Sequence, residues 1–192
     1  IWDATTGENT LTLTLTDTDT DTDTIWEAAW SPNGTCILTA SDENKARVWD
    51  ATSGKNILTL TDIAWDVVWS PNSTHILAKL DANRACVWNA LTGKKTLTLK
   101  PANPVFEMMW SPNSSLIITT SDYIAEIWDA TTGVNTLTFT DTVWGVAWSP
   151  DSTHILTKFL DGTARVWDAT TGENTLTLTH EHKVRSAGWS PD

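Results

Sequence analysis

The chain has 192 residues, 40% of them apolar, and a formal net charge of −12 at pH 7. That length fits one domain with a core of its own. The charge disfavours the clustered Lys and Arg that grip a nucleic-acid backbone or an anionic lipid surface, so neither partner is expected. No run of 18 apolar residues occurs, so no membrane span is expected. Cys36 and Cys86 are the only cysteines and make no disulfide framework. No charged-then-apolar leader follows Ile1, and a cytoplasmic location is the default expectation.

After Ile1-Trp2-Asp3, the alternation Leu11-Thr12-Leu13-Thr14-Leu15 reads as an outer strand. The run Thr16–Thr24, TDTDTDTDT, then begins like a calcium loop. Such a loop needs Gly at its sixth position and Glu at its twelfth. Counted from Asp17 these are Thr22 and Ala28, and counted from Asp19 they are Thr24 and Trp30. An extended run also spaces its carboxylates about 7 Å apart along one side, whereas calcium needs converging oxygens. The run therefore ranks as an expanded loop first, an acidic docking strip second and a cation site last.

Trp26–Trp30 is a short apolar strand, ended by the turn formers Ser31-Pro32-Asn33-Gly34. Cys36–Thr39 is β-rich, Ser41–Asn44 turns the chain, and Ala46–Trp49 forms a third strand. Asp50–Lys55 turns again, and Leu58–Thr61 alternates with period two. This set of four short strands then recurs. Thirteen tryptophans fall mainly into two series. Trp30, Trp69, Trp110, Trp148 and Trp189 each precede Ser-Pro, and Trp2, Trp49, Trp88, Trp128 and Trp167 each precede Asp or Asn. Both series have a period of about 40 residues, broken only between Trp2 and Trp49, where the Thr-Asp run lies.

The units resemble the WD-repeat (WD40-type) family. The residues that carry the resemblance are Ala-Arg-Val-Trp-Asp at 46–50 and 164–168, its variants at 85–89 and 125–129, and Trp-Ser-Pro-Asn/Asp in all five units. It implies an all-β fold, a β-propeller of four-stranded antiparallel blades around a channel. The strand ending in Trp-Ser-Pro would be innermost and the Leu-Thr-Leu strand outermost. Complete blades are expected at 25–61, 63–100, 104–140 and 142–179. A split, incomplete fifth would combine 180–192 with 1–15, because Trp2 aligns with Trp49 and Asp192 with Asn33, leaving no counterpart of 34–47. The expectation is an open arc, part of a larger propeller, or self-association that completes a ring.

The resemblance also implies a buried His, Ser/Thr, Asp and Trp network in each blade. Trp49, Trp88, Trp128 and Trp167 take the tryptophan place. Asp122 and Asp161 fit the aspartate place, which Glu43 and Ala82 occupy in the first two units. Only His180 fits the histidine place, so no unit has the full set.

No catalytic constellation, metal site or cofactor motif emerges. Gly93-Lys94-Lys95 lacks the earlier Gly of a phosphate loop, and neither cysteine has a nearby His. His75 and His154 recur one repeat apart, too far for close ligand spacing. His180 and His182 lack further ligands nearby. Asn33, Asn72 and Asn113 match the glycosylation pattern, but Asp151 takes their place in the fourth unit, so turn formation explains the set better.

Four residues before each Trp of Trp-Ser-Pro stand Trp26, Trp65, Phe106, Trp144 and Arg185. The resemblance implies that this position reaches a partner-binding surface at the channel mouth, together with neighbours such as Ile63 and Lys183. Aromatic and Arg side chains are enriched at interface hot spots. The expected function is that of a non-catalytic scaffold segment binding other proteins. The alternatives are a propeller that binds small molecules or glycans, and a degenerate repeat fragment.

Overall fold

The computed structural model describes residues 1–14, 24–42, 44–63, 65–140 and 143–191. Leu15 and the Thr-Asp run through Asp23, and also Glu43 and Asp141-Thr142, lie outside the described residues. Four four-stranded antiparallel sheets follow one another, each with its strands in chain order. The first holds β1 (Ile25–Trp30), β2 (Cys36–Ser41), β3 (Lys45–Asp50) and β4 (Asn56–Leu60). The second holds β5 (Trp65–Trp69), β6 (His75–Asp81), β7 (Arg84–Asn89) and β8 (Lys95–Leu99). The third holds β9 (Glu107–Trp110), β10 (Leu116–Thr120), β11 (Ala125–Asp129) and β12 (Asn135–Phe139). The fourth holds β13 (Val143–Trp148), β14 (His154–Phe159), β15 (Thr163–Asp168) and β16 (Asn174–Thr179). These are blades of the kind the resemblance implies.

The chain divides into two compact units, Ile1–Asp81 with Ala85–Thr96, and Ala82–Arg84 with Leu97–Asp192. In the first unit Leu38, Val48 and Leu60 of the first sheet cluster with Val67, Trp69, Ile76 and Trp88 of the second. In the second unit Ile118, Ile127 and Phe139 cluster with Trp148, Ile155 and Phe159. Each such side chain contributes about 1.5–3 kcal/mol on leaving water. The middle strands β2 and β3 are buried almost throughout, whereas the outer strand β4 is buried only at Leu60. That is why the outer strands alternate with Thr, while the middle strands bury apolar residues on both faces together with a few polar ones such as Thr39 and Arg47.

Side-chain acceptors hold the turns. Ser31 Oγ donates to Asn33 Oδ1 at 2.8 Å, and so do the Thr35 amide and hydroxyl at 3.1 and 2.8 Å. The Cys36 amide closes the turn onto Ser31 Oγ at 2.9 Å. The same set recurs around Asn72, Asn113 and Asp151. All three donors meet one oxygen, so Asn and Asp serve equally. Hydrogen bonds from Ser149 and Thr153 hold the Asp151 carboxyl down at about 2.

At the second hairpin Asp50 Oδ1 accepts from the amides of Thr52 and Ser53, and Asn89, Asp129 and Asp168 accept in the same way. The glycine that ends this turn has positive φ, +68° at Gly54 and +72° at Gly172. A Cβ there would stand 2.8 Å from Leu11 at Gly54 and 2.8 Å from Leu137 at Gly172. The Thr-Gly and Ser-Gly pairs thus serve the backbone and the packing of the preceding repeat together.

Two expectations need correction. Residues 11–14 form no strand; the ordered pairing lies before them, in a short hairpin with a bridge from Trp2 to Asn9 and the Thr10 amide on the Ile1 carbonyl at 3.0 Å. The Trp-Ser-Pro segment of the fifth repeat also forms no strand, because no ladder partner lies beside it among the described residues. Trp189 still docks as Trp69 does. Its Nε1 donates to the Ala147 carbonyl at 3.2 Å, as Trp69 Nε1 donates to the Ala29 carbonyl at 3.4 Å.

Candidate functional site

The repeated aromatics sit where the first strand of each sheet begins, and the ladder there is irregular. Ile25 pairs with Ser41 but Glu27 pairs with Ala40, so Trp26 is an extra residue without a partner across the ladder. In the fourth sheet Val143 pairs with Phe159 and Gly145 with Lys158, leaving Trp144 as the extra residue. Such bulges re-aim a side chain and release it from the ladder's alternation. In the second sheet the extra residue is Asp66, with φ of +53°, and Trp65 pairs with Lys79. In the third sheet Phe106 stands just before β9 and its amide donates to the Thr120 carbonyl at 2.8 Å.

All four side chains are open to solvent: Trp26 at 37%, Trp65 at 55%, Phe106 at 57% and Trp144 at 65% of full exposure. Arg185 and Lys183 are exposed as well. Ile63 is not. It is 1% exposed and belongs to the core of the first unit, with its amide on the Asn44 carbonyl at 3.0 Å. Burying its apolar side chain removes it from the candidate surface.

Acidic groups accompany the aromatics. Glu27 accepts from the Val67 amide at 3.1 Å, and burial pushes its carboxyl up, helped by the charge of Asp66 and opposed by that hydrogen bond. Asp66 forms an ion pair with the buried Lys79. In the third sheet the corresponding residue is the exposed Glu107. A pocket of about 330 Å³ opens beside it in the second unit, lined by Phe106, Glu107, Asp122, Tyr123, Trp144 and Leu160 among others. Sequence reading did not single out Tyr123 or Leu160. Their only signal was an apolar residue in a tight turn that the other repeats fill with polar ones.

The tryptophans of the third strands have a different task. Trp49, Trp128 and Trp167 donate through Nε1 to Thr39, Thr119 and Thr157 at 2.8, 2.9 and 2.7 Å. Ala78 stands at that place in the second sheet, and the buried Trp88 Nε1 has no hydrogen-bond partner. A model of the WD domain, G-beta repeat, matches residues 9–50, 93–129 and 133–168, more than half of the chain. The chain belongs to the WD40 repeat family. Each matched WD domain ends on the residue after the third-strand tryptophan, Asp50, Asp129 or Asp168. The WD40 repeat with Asn89 in that place lies in 51–92, outside these matches. No curated protein matches the chain. WD40 domains are generally non-catalytic scaffolds.

The remaining members of the WD40 polar network lie at the surface. Asp161 is exposed and accepts from the Thr163 amide and hydroxyl and from Arg165 Nη2, at 2.8, 2.7 and 3.1 Å. These bonds, that of the Thr163 hydroxyl foremost, lower its carboxyl below the usual range. Asp122 is exposed at the pocket, and His180 is exposed with its amide on the Gly162 carbonyl at 3.1 Å. His75 and His154 instead contact Thr74 and Thr153 hydroxyls at 2.8 and 2.7 Å through Nδ1, as parts of the turn. Among the described residues no group of three or more His, Cys, Asp or Glu is placed to hold a metal ion.

Proposed function

We propose that this WD40 segment is a non-catalytic binding module. It captures other proteins through the aromatics at the start of each sheet, Trp26, Trp65, Phe106 and Trp144. One observation carries the reading: the same repeat position presents a large aromatic to solvent in four successive repeats, two of them on bulges that free the side chain from the ladder. A folded chain gains nothing from leaving such surface wet, whereas an interface gains large buried area at low entropic cost.

The test is partner capture by Trp26→Ala, Trp65→Ala and Trp144→Ala, with melting temperature followed in parallel. Loss of capture with unchanged melting supports the reading. Retained capture in all three variants refutes it. A collapse of folding in each would assign the aromatics to packing.

A further inference from the structure

We infer that the pocket beside β9 and β13 is a receptor for an arginine side chain presented by a partner polypeptide. The inference rests on Phe106 and Trp144 being binding residues, and it assigns them a ligand.

The pocket lies wholly in the second unit, and its walls come from four places: the start of β9, the turn after β10, the start of β13 and the turn after β14. Three of its side chains are exposed aromatics, Phe106, Tyr123 and Trp144. Two are exposed carboxylates, Glu107 and Asp122. No Lys, Arg or His lines it. The neighbouring cation is Lys158, whose stem lies against Gly145, and its Nζ donates to the Arg185 carbonyl at 3.4 Å.

Aromatic faces attract a cation, and carboxylates accept the paired N–H groups of a guanidinium. A planar guanidinium meets both demands at once, which a compact ammonium does less well. The volume, about 330 Å³, holds a long side chain but is small for a folded element. The chain's net charge of −12 favours approach of a basic segment. An acidic or purely apolar occupant would leave both carboxylates facing it without compensation.

The probe is the acetylated pentapeptide Gly-Gly-Arg-Gly-Gly, titrated into isotope-labelled protein and followed at the amides of Tyr123 and Gly145. Its counterparts carry citrulline, Lys or Glu in place of Arg. The arginine peptide is expected to bind at least tenfold more tightly than the citrulline peptide. The double variant Glu107→Gln, Asp122→Asn should erase that difference, and Trp144→Ala should weaken both peptides. Equal binding of the arginine and citrulline peptides overturns the inference, as does absence of shifts at Tyr123 and Gly145. So does a preference that persists in the double variant, or equal binding of the glutamate peptide. If partner capture requires Trp144 while the peptides do not differ, the binding reading stands and this inference falls. If the arginine peptide binds while capture ignores all three tryptophans, the reverse holds.

Discussion

Ala78→Thr should stabilise the protein. Trp88 Nε1 is buried without an acceptor, and in the other three sheets a Thr hydroxyl meets that indole at 2.7–2.9 Å. An orphaned buried donor costs about 1–3 kcal/mol. Against this stands the room needed, because Ala78 is only 1% exposed and overpacking costs about 1–3 kcal/mol. The space nearby favours the substitution. Cys86 stands where the other repeats carry Arg47, Glu126 and Arg165, so the second sheet has the smaller side chains at this level. A net gain of about 1 kcal/mol would raise Tm by roughly 2–4 °C in a chain of this size. Urea or thermal melts of four proteins decide it: wild type, Ala78→Thr, Trp88→Phe and the double variant. The cycle should show a coupling of about 1 kcal/mol between the two sites. The reverse change, Thr119→Ala, should cost about 1–3 kcal/mol by orphaning Trp128. Coupling near zero, together with a neutral Thr119→Ala, would refute the account of the indole bond as a stabilising element.

Further outcomes follow from the turns and buried carboxyls. Gly172→Ala should lower stability by about 1–3 kcal/mol, since φ is +72° and the new Cβ would meet Leu137. Gly7→Ala, with φ of +71° and nothing within 4 Å, should cost less in the same urea melt. Burial raises the Glu126 carboxyl above its usual range, opposed by the Ala102 amide it accepts at 3.2 Å. A raised acid favours folding below its unfolded pKa and loses that contribution as pH rises through its folded value. Glu126→Gln should therefore raise Tm at pH 7 and have little effect near pH 4. Asp151 behaves oppositely: its contribution is complete above its unfolded value near 3.8 and is lost as pH falls towards about 2. Asp151→Asn keeps the acceptor oxygen, so the Tm difference from wild type should shrink between pH 4 and pH 2.

Much of the blade was legible because its signals are local. Pro and Asn in the first turn, Asp or Asn followed by Thr-Gly in the second, and period two in the outer strand each act within a few residues. Ile63 was misplaced for the same reason. Counting back from Trp69 assumes an unbroken ladder, and the bulge at Asp66 intervenes. One extra residue changes which side chain faces the core, and no local pattern announces it. The outer strand expected at Leu11–Leu15 failed differently. Its alternation was right for a strand, but pairing needs a partner that sequence spacing does not supply. The pocket was illegible because Tyr123 and Leu160 come from turns of two different repeats. Their proximity is a product of stacking within the second unit.

These errors share a physical basis with the candidate site. Along the regular ladder, nearly every position is committed. Trp meets Thr, Asn or Asp gathers three donors, and glycine clears a path for the preceding leucine. Serines adopt positive φ at 73 and 152, where their hydroxyls accept from the amides of Asn33 and Asn113 at 3.1 and 3.0 Å. Changing any of these carries a folding cost. The bulge residues Trp26 and Trp144 are exempt, because an extra residue has no cross-strand partner to satisfy, whereas Asp66 is committed to the buried Lys79. A repeat protein can vary such positions without destabilising the sheet. Two of the exposed aromatics proposed to bind, Trp26 and Trp144, stand at such positions, where a change of side chain meets the least resistance from the fold.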